Sequence, residues 1–196
     1  MSDFLNISDF LSPISRAELS YDQGYKDGQV GKAIQVYEDE FPDLDEADIV
    51  FIGCGEQRGN GVHMAYSSAP DAIRRQFYSL YFWHQDLHLA DIGNLKKGAE
   101  LADTYAALKT VIQELLDEKK TVVILGGSHD LTLAQYYAYE DGKKVIEATC
   151  ADALIDLNLD SDFRCDNFLM EMLTGEPNFV RHYNHIGFQS YYIHPR

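Results

Sequence analysis

Three side chains at the ends of two apolar segments have the types and spacing of metal ligands. His129 follows the apolar run TVVILGG (121–127), and Asp152 and Asp156 end and follow the next run, KKVIEATCAD (143–152). One imidazole with two carboxylates suits Mn²⁺, Zn²⁺ or Fe²⁺. Because a histidine or aspartate at a strand end is also commonly a capping or solvated residue, the pattern predicts a metal site only where the fold brings all three together.

A leucine stands between the two carboxylates. Leu154 offers neither a nitrogen nor an oxygen atom, although a metal-binding loop at this point would favour a further donor. We therefore predict metal ligands at His129, Asp152 and Asp156 and an interruption of the site at Leu154. The sequence identifies neither a catalytic acid or base nor a substrate-binding residue.

The elements that must position these ligands alternate between strand and helix. β-branched apolar runs and helical apolar spacing predict five strands, at 47–55, 87–94, 121–127, 143–152 and 182–194, and four helices, at 67–83, 98–120, 131–140 and 167–175. This alternation predicts right-handed βαβ units and an α/β fold of three layers, in which helices cover both faces of a mostly parallel sheet. Ligands of such sheets bind beyond the carboxyl ends of the strands, where the three candidate ligands lie.

Length and composition indicate one globular domain. The chain has 196 residues, which we divide into a polar N-terminal extension (1–46) and a single α/β domain (47–196). Its net charge of −16 argues against a nucleic acid or an anionic membrane as partner, since both require a basic surface. We see neither a signal-peptide pattern nor an apolar run of the roughly 20 residues that a membrane helix needs.

The cysteines indicate a reducing compartment. There are three of them, an odd number without regular spacing, which does not form a disulfide framework. Cys54 and Cys150 lie in apolar strand-like runs and are predicted to be buried free thiols. We therefore predict a cytoplasmic protein.

Three motifs, in order, resemble the ureohydrolases, the family of arginase, agmatinase and formimidoylglutamase. The run VVILGGSHDLTLAQY (122–136) resembles the family's GGDHS strand, loop and helix, and DALID (152–156) resembles its Asp-Ala-His-x-Asp motif. The run GCGEQRGNG (53–61) with SAPDAIRRQFYSL (68–80) resembles the family's first strand, glycine loop and GPxxIR helix. The resemblance covers about residues 47 to 160 and is strongest to formimidoylglutamase-like members.

The resemblance implies Mn²⁺-dependent hydrolysis of C–N bonds in linear amidines such as formimidoylglutamate, agmatine or arginine. The family holds two Mn²⁺ ions bridged by carboxylates and a hydroxide. His129 matches the histidine of the first metal, Asp152 the carboxylate that serves both metals, and Asp156 the second carboxylate of the first. Leu154 stands where the histidine of the second metal is expected. The resemblance therefore implies at most one, partial Mn²⁺ site.

Two further departures bear on activity. The family's second aspartate pair, in a Ser-x-Asp-x-Asp-x-x-Asp-Pro motif, is absent from the chain. Where the family has a Gly-Thr-Pro-Phe substrate loop, this chain has SDFRCDNFL (161–169). The second metal then keeps Asp152 alone, so a bridging hydroxide is not expected, and the chain by itself is predicted to be inactive on guanidino or formimino substrates.

The resemblance also implies a strand order. The family sheet has eight parallel strands in the order 2-1-3-8-7-4-5-6. If the chain is the whole protein, strands 7 and 8 are absent, and the third and fourth predicted strands either pair directly, giving 2-1-3-4-5, or leave exposed edges that favour association with another chain. The alternative is that the chain is a fragment of a longer ureohydrolase-like protein. We predict direct pairing, within a homo-oligomer or alone.

Two other readings remain open. A nucleotide-binding module is suggested by Gly53, Gly55, Gly59 and Gly61 after the first strand, although their spacing is GxGxxxG and no ribose-binding acid follows at the expected distance. A non-catalytic structural or interaction protein of the same fold is suggested by the interrupted metal motif. Within the first loop, Glu56 and Arg58 lie where they could contact a substrate, with solvation as the alternative. His63 in the same loop is a further residue that could face the site.

Overall fold

The α/β prediction is confirmed by a computed structural model, which describes residues 7–21, 24–62, 66–84 and 86–192. The strands in these ranges are Leu11–Ser12 (β1), Gln35–Val36 (β2), Ile49–Gly53 (β3), Leu89–Leu95 (β4), Thr121–Leu125 (β5), Ile146–Ala151 (β6) and Val180–Ile186 (β7). The helices are Arg16–Leu19 (α1), Val30–Ala33 (α2), Ala69–Tyr78 (α3), Leu101–Asp117 (α4), Leu131–Asp141 (α5) and Phe168–Thr174 (α6). The five predicted strands correspond to β3–β7 and the four predicted helices to α3–α6.

The longest helix forms where the apolar spacing predicted it. In α4, Leu108, Ile112 and Leu115 recur at steps of four and three, and all three are buried. At its start, the carboxylate of Asp103 accepts a hydrogen bond of 2.8 Å from the main-chain nitrogen of Glu100, which satisfies a donor that the helix leaves free. The apolar face of α4 therefore packs on the sheet while its other face stays in solvent.

The larger sheet has the order β1-β4-β3-β5, with β2 also pairing with β4. Strand β3 is parallel to both of its neighbours, and the short β1 is antiparallel to β4. Helices α4 and α5 pack on one face of this sheet, and α1, α2 and α3 pack on the other. The order of the first three predicted strands, 2-1-3, and the three layers are thus as expected.

Part of the predicted N-terminal extension packs on the same domain. Ile7, Leu11 and Leu44 are each about 1% exposed and belong to the core formed by β3, β4 and α4. Leu11 pairs in register with Leu95, so the segment also supplies the edge strand β1. The acidic run YEDEFPDLDEAD (37–48), most of which lies in this extension, therefore contributes a buried leucine to the core.

The predicted direct pairing of the third and fourth strands is wrong. Strands β6 and β7 form a separate parallel pair, and within the described residues β5 pairs with β3 alone. The cause lies in α5, which buries residues in two different cores. Leu131, Ala134 and Ala138 pack under the larger sheet, whereas Leu133 and Tyr136 pack with α6 under β6 and β7. Helix α5 thereby holds β6 away from the edge of β5.

The smaller sheet is covered on one face only. Glu147 and Thr149 of β6 and His182 and Asn184 of β7 are exposed, and the residues between them are partly buried against α5 and α6. Such strict alternation is typical of a half-solvated sheet, whereas strands covered on both faces are apolar throughout. Coverage of both faces, as predicted for the whole sheet, holds for the larger sheet alone.

A buried ion pair fastens α3 to β4. Arg74, which is fully buried, donates from Nε and Nη2 to the two carboxylate oxygens of Asp91, each at 2.8 Å. The hydroxyl of Tyr78 donates to the same carboxylate at 2.8 Å, and Arg74 also donates to the side chain of Asn94 at 2.6 Å. The arginine of the predicted IR motif therefore has a structural partner on the neighbouring strand.

Candidate metal centre

The loop that carries His129 turns sharply after β5. Gly126 and Gly127 both have positive φ angles, of 78° and 87°. A Cβ atom at Gly127 would lie 2.7 Å from the main-chain oxygen of Cys54, so the loop passes close to the end of β3. The chain then enters α5 directly, which places the imidazole of His129 at the carboxyl edge of the sheet.

The three predicted ligands meet at this edge. His129 Nδ1 lies 3.0 Å from Asp156 Oδ2 and 3.6 Å from Asp152 Oδ2, and one donor atom from each residue falls within 4.8 Å of the other two. The side chain of His129 is 57% exposed, and those of Asp152 and Asp156 are 20% and 12% exposed. A cation could therefore reach the group from solvent, and the set of one nitrogen and two oxygens fits Mn²⁺, Zn²⁺ or Fe²⁺.

The charges within this group depend on one another. The hydrogen bond to Asp156 raises the pKa of His129 above its ordinary value, against the opposing effect of burial. The pKa of Asp152 is lowered, first by the hydrogen bond from the main-chain nitrogen of Leu154 and further by the charge of His129. A metal bound at Nδ1 would have to displace the proton there, so such binding would weaken as the pH falls.

Leu154 does not contribute a ligand. Its side chain is exposed, and its main-chain nitrogen donates to Asp152 Oδ1 at 3.0 Å. One oxygen of Asp152 is thus engaged in the turn, and Oδ2 is the oxygen that faces His129. In the described ranges, His129, Asp152 and Asp156 form the one group of three histidine, cysteine or acidic side chains with metal-site spacing.

The sequence did not predict that β7 and the segment after it contact the Asp152 loop. His185 Nε2 lies 3.0 Å from the main-chain oxygen of Asp152, and the main-chain nitrogen of Gln189 donates to the oxygen of Ala153 at 2.9 Å. In the sequence, His185 has no spacing to other residues that is typical of a metal ligand. The signal that could have found it is the parallel pairing of the last two strands, which places β7 beside the end of β6.

Glu56 and Arg58 are internal to the protein. Glu56 is 1% exposed, and its carboxylate accepts hydrogen bonds from Arg58 Nη2 at 2.6 Å and from the Thr104 hydroxyl at 2.9 Å. Burial raises the pKa of Glu56, but the hydrogen bonds from Arg58 and Thr104 lower it more strongly, to about 2. These side chains therefore connect the first loop to α4. Their hydrogen bonds are made to other groups of the protein, in place of the predicted substrate contact or solvation.

The glycines of the first loop serve internal packing. A Cβ atom at Gly55 would lie 2.3 Å from the main-chain oxygen of Ser67, and one at Gly59 would lie 2.1 Å from Asp130 Oδ2. The glycines are thus required by neighbouring protein atoms, which accounts for them without a phosphate-binding role. His63, the other candidate of this loop, lies outside the described residues.

The segment at the position of the family's substrate loop packs on the same glycine loop. Its residues Arg164–Asp166 form a 3₁₀ turn, and the thiol of Cys165 donates to the Asn60 side chain at 3.4 Å. A Cβ atom at Gly61 would lie 2.3 Å from a ring carbon of Phe163, so the ring packs directly against this glycine. The segment therefore packs against the first loop through Asn60 and Gly61.

The chain is similar to known proteins in both sequence and fold. The sequence profile of the arginase family matches residues 47–190. A formimidoylglutamase of Macrococcus caseolyticus is 27% identical over 135 residues, which are 67% of this chain and 42% of that protein. The chain thus spans less than half of the length of that relative.

Solved structures share the fold. A Trypanosoma cruzi formiminoglutamase solved with Mn²⁺ superposes with a TM-score of 0.64 at 18% identity, over 80% of this chain and 60% of that one. Formimidoylglutamase from Bacillus subtilis superposes with a TM-score of 0.69 at 14% identity, over 89% of this chain and 58% of that one. The chain therefore corresponds to somewhat more than half of these structures.

Proposed function

The chain belongs to the arginase family, and on that premise we propose that it holds one divalent cation, Mn²⁺ for preference, at His129, Asp152 and Asp156. The single observation that carries the proposal is that these three ligand atoms lie within 4.8 Å of one another. Related proteins solved with Mn²⁺ support the choice of ion.

The substrate class that we propose is the linear amidines, of which formimidoylglutamate is the best candidate. A divalent cation held by His129, Asp152 and Asp156 would supply the activation of water that hydrolysis of an amidine carbon requires. The chain's own contribution is positional: β5 and β6 bring one imidazole and two carboxylates together. Sequence similarity to a formimidoylglutamase supports this substrate class.

We further propose that this chain alone is catalytically incomplete. Leu154 offers no ligand at the point where a second metal would need one, and Asp152 Oδ1 is engaged by the nitrogen of Leu154. A second cation would then keep a single carboxylate shared with the first. Two metals bridged by hydroxide are therefore not expected in this chain.

The test is a turnover assay on the purified chain with Mn²⁺. We expect neither formamide from formimidoylglutamate nor urea from agmatine or arginine above the rate without protein. The His129→Ala variant serves as the matched control, because it removes the one nitrogen ligand. Mn²⁺-dependent release of either product by the wild-type chain, lost in His129→Ala, would contradict the proposed incompleteness.

A second candidate function, an interaction protein of the same fold, is favoured by the open strand edges. In the described part of the chain, β5 has a partner on one side only and consists of Thr, Val, Val, Ile and Leu, with no charged residue or proline. Edge strands without such protection readily pair with another chain. Absence of both metal binding and turnover would leave association, including homo-oligomer formation, as the better proposal.

We also propose a cytoplasmic location and neither nucleic-acid nor membrane partners. The three cysteines are free thiols, which suits a reducing compartment; Cys54 is buried as predicted, whereas Cys150, predicted to be buried, is only partly so. The net charge of −16 disfavours polyanionic partners. Among the described helices, none combines the length and the apolar character that a bilayer crossing requires.

A further inference from the structure

The end of β7 lies directly beside the residue that carries one of the carboxylates. In the parallel pair β6–β7, Cys150 is opposite His185 and Ala151 is opposite Ile186. The ladder continues one step past β6, because the main-chain nitrogen of Asp152 donates to the oxygen of Ile186 at 3.0 Å. The backbone of Asp152 is thus fixed to β7 from its amide side.

His185 fixes the same residue from its carbonyl side. Its Nε2 lies 3.0 Å from the main-chain oxygen of Asp152, and its Nδ1 lies 2.8 Å from the hydroxyl of Tyr183. Because a carbonyl oxygen can only accept, Nε2 carries the proton of this hydrogen bond, while Nδ1 lies within hydrogen-bond distance of the tyrosine hydroxyl. Both ring nitrogens are therefore engaged, which leaves neither of them free to bind a metal.

Two neighbours hold the ring in this orientation. The ring of Tyr183 lies beside that of His185, with centroids 6.0 Å apart, and its hydroxyl is the partner of Nδ1. The ring of Phe188 meets that of His185 edge to face, with centroids 6.2 Å apart. The donor to Asp152 is thus positioned by contacts on both sides of the ring.

The orientation of the Asp152 backbone decides where its carboxylate points. Oδ1 accepts from the nitrogen of Leu154 at 3.0 Å, and Oδ2 then faces Nδ1 of His129 at 3.6 Å. The neighbouring carbonyl of Ala153 is held by the nitrogen of Gln189. A rotation of the peptide after Asp152 would move the turn at Leu154 and carry Oδ2 away from His129.

We infer that His185 is a positioning residue for the metal site, holding the Asp152 carbonyl so that the Asp152 carboxylate faces His129. This inference rests on the proposed metal-binding function. In this role, β7 shapes the metal site although it contributes no ligand to it. Partners that orient the ligands of a metal in this way typically contribute ten- to hundredfold to its affinity.

The test compares two histidines of the same strand. We expect His185→Ala to weaken Mn²⁺ binding by roughly ten- to hundredfold in a calorimetric titration. His182→Ala is the matched control, because His182 lies on the opposite, exposed face of β7 and contacts Glu147 at 3.2 Å, away from the site. His185→Gln should recover much of the affinity, since its amide nitrogen can donate to the same carbonyl.

A second measurement needs no metal. Amide hydrogen exchange of Leu154, whose nitrogen donates to Asp152 Oδ1, should become faster in metal-free His185→Ala and stay unchanged in His182→Ala. Should the wild-type chain bind no Mn²⁺, the proposed function fails, while the exchange of Leu154 still decides whether His185 holds the loop. Equal behaviour of His185→Ala and His182→Ala in both measurements would overturn the inference.

Discussion

Asp156→Asn is expected to weaken Mn²⁺ binding by more than about 100-fold, since loss of a ligand should exceed the loss of a partner that only orients one. The carboxylate of Asp156 is the one nearest to His129, at 3.0 Å, and its side chain is 12% exposed. An amide has nearly the same volume but lacks the charge, so the fold should be retained while the site loses one of its two anionic ligands. Isothermal titration with Mn²⁺ measures the change.

The matched control for this experiment is Asp160→Asn. Asp160 lies four residues after Asp156 in the chain and is exposed. Its substitution by asparagine changes the net charge of the chain by the same amount. We expect it to bind Mn²⁺ as the wild-type chain does. Similar losses in Asp156→Asn and Asp160→Asn would mean that the cation is attracted by the general acidity of the chain, contrary to the proposed site.

Asp91→Asn is expected to destabilise the chain by about 3–5 kcal/mol, the usual effect of removing one partner from a buried ion pair. Asp91 is fully buried and accepts from Arg74, from the Tyr78 hydroxyl and from the main-chain nitrogen of Gly93. An asparagine would leave the charge of Arg74 without a counterion and would place an amide donor against other donors. Urea denaturation followed by circular dichroism measures the free energy of unfolding.

A surface ion pair provides the comparison. Lys109 and Asp141 lie 2.6 Å apart, and the side chain of Asp141 is 43% exposed. Asp141→Asn should therefore cost less than about 1 kcal/mol. The account of Arg74 and Asp91 as the pair that fastens α3 to β4 would be wrong if Asp91→Asn lost no more stability than Asp141→Asn.

The sequence was sufficient for the elements from β3 to β7 and for the proximity of the three candidate ligands, because both depend on local patterns. The apolar spacing of Leu108, Ile112 and Leu115 predicted α4, and the strand ends before His129 and Asp152 predicted that these two side chains would meet. Both patterns reflect forces that act within a few residues or within one βαβ unit. Family resemblance added the expectation that Leu154 interrupts the site.

The sequence was insufficient where the outcome depended on packing between distant segments. Helix α5 shows no strong apolar stripe, and only the folded chain reveals that Ala134 and Tyr136 enter different cores. The separation of β6 from β5 follows from that division. The contacts of Glu56 and His185 could not be predicted for the same reason. Their partners, Thr104 and Asp152, lie 48 and 33 positions away in the chain.

The most direct test of the central claim counts metal ions. Native mass spectrometry of the chain loaded with Mn²⁺ should show one ion per chain, and none in His129→Ala under the same conditions. Two ions in the wild-type chain would contradict the account by revealing a second site beside Leu154. A wild-type chain without any bound ion would contradict it equally, since the geometry of His129, Asp152 and Asp156 would then hold no metal.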